Sequence, residues 1–349
     1  MMRTLRPPFS RRLALRRDEP AGGFRRNVTI CIATLYRHLY NPKAPQDPAS
    51  YGYGILTASD RMLTLEELAI EYETTQGKFT HLTNRIMLLA ADDLTVHSAL
   101  IKTIRICINN HAAAPTVQEV ANWYADALRE LKAERAAAAA LSLYQMDAQT
   151  FARTQRHMDV NIVSQLDNAM QVYASKIHAQ AIITGFDPDD MPWIYYVDND
   201  GIAHCMNDMG FACIGIGKDH ANGQFASRGY SNGWLYYDAI SLVYVAKKAA
   251  EIAPGVGPNE DMSQITKSGI YRIHAETRKS LDRLYKRHKR RVAKMERALV
   301  SELFKADQEA AAREAKEKGA SASTSSESSS ALGEQAQSAP DDSSEEQPS

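Results

Sequence analysis

From Asn27 onward side chains alternate, with Thr29, Cys31 and Ala33 on one face and Val28, Ile30 and Ile32 on the other, the two-residue period of a sheet strand. The three prolines of NPKAPQDPAS break that period as a loop, and YGYGILTASDRML resumes a strand. After a polar stretch, GKFTHLTNRIMLLAADD reads as two short strands meeting at Thr83 and Asn84. The spacing then turns helical. Leu94, Leu100, Ile101, Ile104 and Ile106 suit a helix to about Cys107, and Val117, Val120, Ala121, Tyr124 and Leu128 recur at helical intervals. Thr116 and Glu119 have the spacing of a reciprocal capping box ahead of that second run. ERAAAAALSLYQM extends the helical character, and strands return at QAIITGF and PWIYYVDND. A hairpin-like rhythm continues through GIAHCMND and GFACIGIGKD, and DAISLVYVAKKAAEIAP predicts an amphipathic helix stopped by Pro254 and Gly255.

Strands at both ends of the chain with helices between and after them predict a sheet sandwich flanked by helices. The flanks are different. Residues 1–26 are rich in Pro, Gly and Arg and read as a disordered extension or a propeptide, faintly similar in composition to an organelle transit peptide. Residues 278–318 have the Lys, Arg, Glu and Ala content of a solvated or partner-packed helix, and residues 319–349 are too polar to offset the entropy of ordering.

Composition narrows the function classes. A net charge of -1 over 349 residues gives no ground for a nucleic-acid or membrane partner, and no apolar run approaches the roughly 18 residues of a membrane span. Cys31, Cys107, Cys205 and Cys213 form no CxxC pair, which favours buried free thiols and a reducing, cytoplasmic setting. His204, Cys205, Cys213 and His220 have no zinc-ligand spacing, and GIGKDHANG lacks the ending of a phosphate loop, so neither metal nor cofactor is expected. The basic run from Arg283 to Lys294 reads as a helix face.

Six stretches, VTICIAT, ILTASDRMLT, GKFTHLTNRIMLLAADD, GFDPDDMPWIYYVDNDG, FACIGIGKDHANGQF and AKKAAEIAPGVGPNEDM, occur in the order and spacing of one family. In them the chain resembles the proteasome-type N-terminal-nucleophile (Ntn) hydrolases, especially a poorly characterised bacterial and archaeal branch. The matching stretches run from about Asn27 to His274, within a domain expected over residues 27–277, with an insertion at about 134–171. It implies an α+β fold, a four-layer αββα sandwich, assembly into homo-oligomeric rings, and threonine-type peptidase activity on peptides or unfolded proteins, with a possible unfoldase partner.

In that family the terminal threonine supplies both nucleophile and base: its hydroxyl attacks, and its free α-amine, with an ordinary pKa of about 7.7 to 8.0, takes the proton. Carried over, Thr29 is the nucleophile, Asp60 the orienting carboxylate, Lys78 the cation and the Ala91 amide the oxyanion donor. Ala91 stands where the family usually has Gly, Ile216 where its proteases have Ser, and the Pro254–Pro258 run where an Asp and a Ser support the amine. Thr29 becomes terminal either by cleavage after Val28 or by an alternative start at Val28. Bland readings stand beside these: a β-branched strand residue for Thr29, a turn or an ion pair with Arg61 for Asp60, a solvated strand-end lysine for Lys78. For the whole chain the alternatives are a silent ring or scaffold subunit and an Ntn amidase acting on a small amide.

Overall fold

The computed structural model describes residues 29–39, 51–65, 70–73 and 78–327, so the N-terminal extension and the last part of the acidic tail lie outside the described residues. Strand β1 (Cys31–Leu39) pairs antiparallel with β2 (Tyr51–Asp60), from Cys31 opposite Ser59 to Leu39 opposite Tyr51. The ladder continues one step past β1, where Asp60 N donates to Ile30 O at 3.2 Å. A two-stranded ribbon follows, β3 (Met62–Leu65) with β4 (Ile70–Glu73), in a stretch whose polarity hid it. Then come β5 (Phe79–His81) and β6 (Ile86–Asp92), the expected pair of short strands, turning through Thr83 and Asn84.

Helix α1 (Leu94–Asn110) starts at Asp93, whose carboxylate accepts from Thr95 N and Val96 N. Helix α2 (Val117–Leu141) has the expected capping box: Glu119 N donates to Thr116 Oγ1 at 3.2 Å and Thr116 N to Glu119 Oε2 at 2.8 Å. The insertion is helical: α2 runs into it, and α3 (Ala148–Thr154) and α4 (Val160–Ser175) follow. Ala137 and Leu141 of α2 bury Phe151 and Leu166 there, giving the insertion its own small core.

Strands β7 (Ala179–Phe186), β8 (Pro192–Val197) and β9 (Ala203–Cys205) complete a sheet ordered β5-β6-β7-β8-β9. The hairpin rhythm ends there, contrary to expectation. Strand β10 (Phe211–Ile214) crosses to the other sheet and pairs with β1, because Gly210, at φ +74°, turns the chain and its carbonyl accepts from Leu35 N and Tyr230 Oη. Helices α5 (Lys218–Ser227) and α6 (Tyr236–Ala250) precede β11 (Glu260–Thr266) and β12 (Gly269–Arg272), giving the first sheet the order β10-β1-β2-β11-β12.

The fold is therefore mixed helix and sheet, built on two antiparallel five-stranded sheets. Strand alternation sorts their residues. Cys31, Ala33, Leu35 and Ile55 of one sheet share a buried core with Met87, Leu89 and Ile182 of the other. The opposite face of β6, with Ile86, Leu88 and Ala90, packs with Val96, Val120 and Tyr124 of α1 and α2. Each such fully buried aliphatic side chain contributes about 1.5 to 3 kcal/mol, so this core fixes the end of β6 near the start of β1.

The first compact unit ends at Leu281, four residues beyond the expected boundary at 277. The rest of α7 (Ala275–Glu327) belongs to a second unit, in which Lys286 pairs with Asp282 at 2.7 Å. Helix α7 runs into the tail expected to be disordered, since extending a formed helix avoids the cost of nucleation. Of the cysteines, Cys31 is buried, Cys107 and Cys213 are partly buried, and Cys205, on the edge strand β9, is exposed. Among the described residues no helix is long and apolar enough to cross a membrane.

Candidate active site

Asp60 ends β2 beside the residues that lead into β1, and it is completely buried. A buried carboxylate is costly unless its lone pairs are used. Here they are. Oδ1 accepts from Thr29 Oγ1 at 2.8 Å, from Ile30 N at 3.0 Å and from Lys78 Nζ at 2.8 Å. Oδ2 accepts from Met62 N at 3.1 Å and Gly257 N at 3.3 Å. Lys78 also donates to the Thr29 hydroxyl in a short contact. The hydroxyl proton of Thr29 thus points at a carboxylate while a lone pair faces an ammonium, with all three side chains inside the protein.

The bland readings do not describe this arrangement. The local turn contact from Met62 N is one of five that the Asp60 carboxylate accepts, and Arg61 forms a two-pronged bond with Asp261, at 3.0 and 2.6 Å. The side chain of Lys78 is 5% exposed, which excludes a solvated strand end. The Thr29 hydroxyl is engaged by both charged partners, beyond anything a β-branched strand residue requires.

The backbone of Thr29 is fixed from the other side by the turn between β10 and α5. Gly217 N donates to Thr29 O at 3.3 Å. Gly215 has φ +93°, and a Cβ there would lie 2.4 Å from Thr29 O and 2.7 Å from its Cγ2. Only glycine supplies both the conformation and the clearance. Ile216, in the place where the resemblance expects Ser, is partly buried in this same turn.

Ala91 stands apart from this set of contacts. It is buried on β6 opposite Gln180, and its carbonyl is bonded by His97 Nε2 at 2.6 Å, with Tyr124 Oη on the other ring nitrogen at 2.7 Å. Its neighbour Ala90 is nearer the centre: Ala90 N donates to Lys78 O at 3.2 Å, and Ala90 O accepts from Cys31 Sγ at 3.4 Å. Burial pushes the Cys31 thiol up to about 12, so it stays neutral beside the charged pair.

Several members of the site were not legible in the sequence. The Pro254–Pro258 run, expected as a loss of amine-supporting groups, delivers the Gly257 amide to Asp60. Asp92, directly after Ala91, has φ +86°, and among the described residues neither of its buried oxygens has a hydrogen-bond partner. Burial raises its pKa to about 7; the Gln180 amide approaches without reaching bonding geometry, and Lys218 and Lys78 oppose the rise. The paired acids of LLAADD were the available signal. His204 bonds Asp198 at 3.0 Å, and among the described residues no group of three or more His, Cys, Asp or Glu side chains is placed to hold a metal.

Comparison with models of protein families and with curated proteins returned no match to this chain.

Proposed function

We propose that this chain is a proteasome-like threonine-type peptidase subunit with the four-layer αββα sandwich of the Ntn hydrolases, working in a homo-oligomeric, self-compartmentalised assembly in the cytoplasm. The observation that supports this reading is the convergence of Thr29, Asp60 and Lys78 on one hydroxyl, from three separate strands or strand ends. Cleavage between Val28 and Thr29 frees an α-amine. That amine accepts the hydroxyl proton as Oγ1 attacks the amide carbon of a substrate. Lys78 stabilises the developing negative charge on Oγ1, and Asp60 holds Lys78 in place. The tetrahedral intermediate collapses with loss of the amine product, which takes the proton, leaving an ester on Thr29. Water then hydrolyses the ester, with the α-amine again as base. The resemblance assigns the oxyanion contact to the Ala91 amide, which in this chain lies opposite Gln180 in the β6–β7 ladder, apart from the Thr29 contacts.

The test is mass spectrometry of the purified protein's N-terminus combined with turnover of a fluorogenic peptide. A mature chain beginning at Thr29, with Thr29→Ala slowing turnover at least about a thousandfold, is the expected result. A protein that assembles with its N-terminal extension intact and hydrolyses peptide equally well as Thr29→Ala contradicts it. Ile216 and the Pro254–Pro258 run favour a second reading, a silent ring subunit, because no side-chain hydroxyl or carboxylate from those two segments stands ready to assist the amine.

A further inference from the structure

Helix α6 holds a lysine that the reaction above does not use. Lys247 is 0% exposed, a rare state for lysine unless it is paired. Its ammonium bonds the Glu251 carboxylate and the Gly257 carbonyl, the latter at 2.8 Å, and lies 3.9 Å from Glu260 Oε2. Lys248 reinforces the same loop through Glu251 at 2.8 Å and Pro258 O at 3.0 Å. Burial lowers the pKa of Lys247, opposed by Glu251 and Glu260 and aided by Lys248.

The far side of Gly257 faces Asp60. Its amide donates to Oδ2 at 3.3 Å, while Oδ1 receives Thr29, Ile30 N and Lys78. Beyond the loop, β11 begins at Glu260, which pairs in register with Asp60 itself. The Pro-Gly run is short and rigid at its proline ends, so a cation gripping one glycine sets the position of that glycine's amide.

We propose that Lys247 is a positioning residue for the Thr29 site: it holds Gly257 so that the Gly257 amide occupies Oδ2 and leaves Oδ1 facing Thr29 and Lys78. The proposal rests on the peptidase reading of Thr29 for its kinetic part only. A buried ammonium on α6 thereby replaces, through backbone, the side-chain support missing from the loop.

The experiment compares the full-length wild type with Lys247→Met, Lys247→Arg, Asp60→Asn and the Lys247→Met, Asp60→Asn double variant. Peptide turnover and hydrogen exchange of the Gly257 amide are both measured. Lys247→Met is expected to lower kcat by about ten- to a hundredfold with KM changed less than about threefold, the cost of a misplaced catalytic group. Gly257 exchange should rise at least about tenfold, and Lys247→Arg, which keeps the cation, should recover most of both. The double variant should be no slower than Asp60→Asn alone, since the two act through one contact. A Lys247→Met protein with wild-type kcat, or a double variant slowed by the product of the two single effects, overturns the proposal. Unchanged Gly257 exchange in Lys247→Met also overturns it. If the wild type shows no Thr29-dependent turnover, the peptidase reading fails, and Gly257 exchange still decides whether Lys247 holds the loop.

Discussion

Asp92 is the residue at which charge and backbone conflict most openly. Its raised pKa means that the folded chain keeps a proton up to about pH 7 that the unfolded chain releases near 3.8. The folded state therefore binds more protons between those values, and stability falls as pH rises through that window before levelling off above it. Asp92→Asn removes the titration, and asparagine tolerates positive φ. Urea melts at about pH 5 and pH 8 should show the stability of Asp92→Asn gaining on wild type by on the order of 2 to 3 kcal/mol at the higher pH. At this scale the reading of the sequence was uneven for a physical reason. Thr29, Asp60 and Lys78 have distinctive side chains, whereas the amides of Ile30, Met62 and Gly257 that saturate Asp60 look like any other peptide group. Lys247 looked like one more lysine on a helix until its burial was visible.

Elements were most legible where local chemistry decides them. The Thr116–Glu119 box set the start of α2, and Thr116→Ala should cost about 1 kcal/mol by thermal unfolding. The crossing from β9 to β10 was not legible, because a turn that changes sheets uses the same glycine as one that stays. The turn before α5 carries the sharper prediction. Gly215→Ala must strain φ and push against the Thr29 backbone, so it should cost about 2 to 4 kcal/mol and reduce turnover well beyond what that loss of stability explains. Melting curves and peptide hydrolysis on the same sample check both parts; a variant as stable and as active as wild type contradicts the geometry.

For the whole molecule, the division after Leu281 separates a two-sheet unit from the remainder of α7. Ending the chain after Leu281 should leave the melting temperature of that unit within about two degrees, because its cores draw on residues up to that point. Light scattering behind size exclusion tests the proposed ring assembly; a monomer at micromolar concentration contradicts it. The two faces of β1 followed from alternation along that strand, but which strands share a sheet did not, and assembly leaves no period in a sequence.

The contacts that hold Thr29 have a temporal meaning. Its hydroxyl partners, the Ile30 amide beside it and the Gly217 amide on its carbonyl all come from chain that follows Thr29. On the peptidase reading proposed above, these contacts among the described residues outlast a cut before Thr29, so removing the leading segment would act like releasing a safety catch: activity should appear in step with the cut, with no slow refolding phase in circular dichroism.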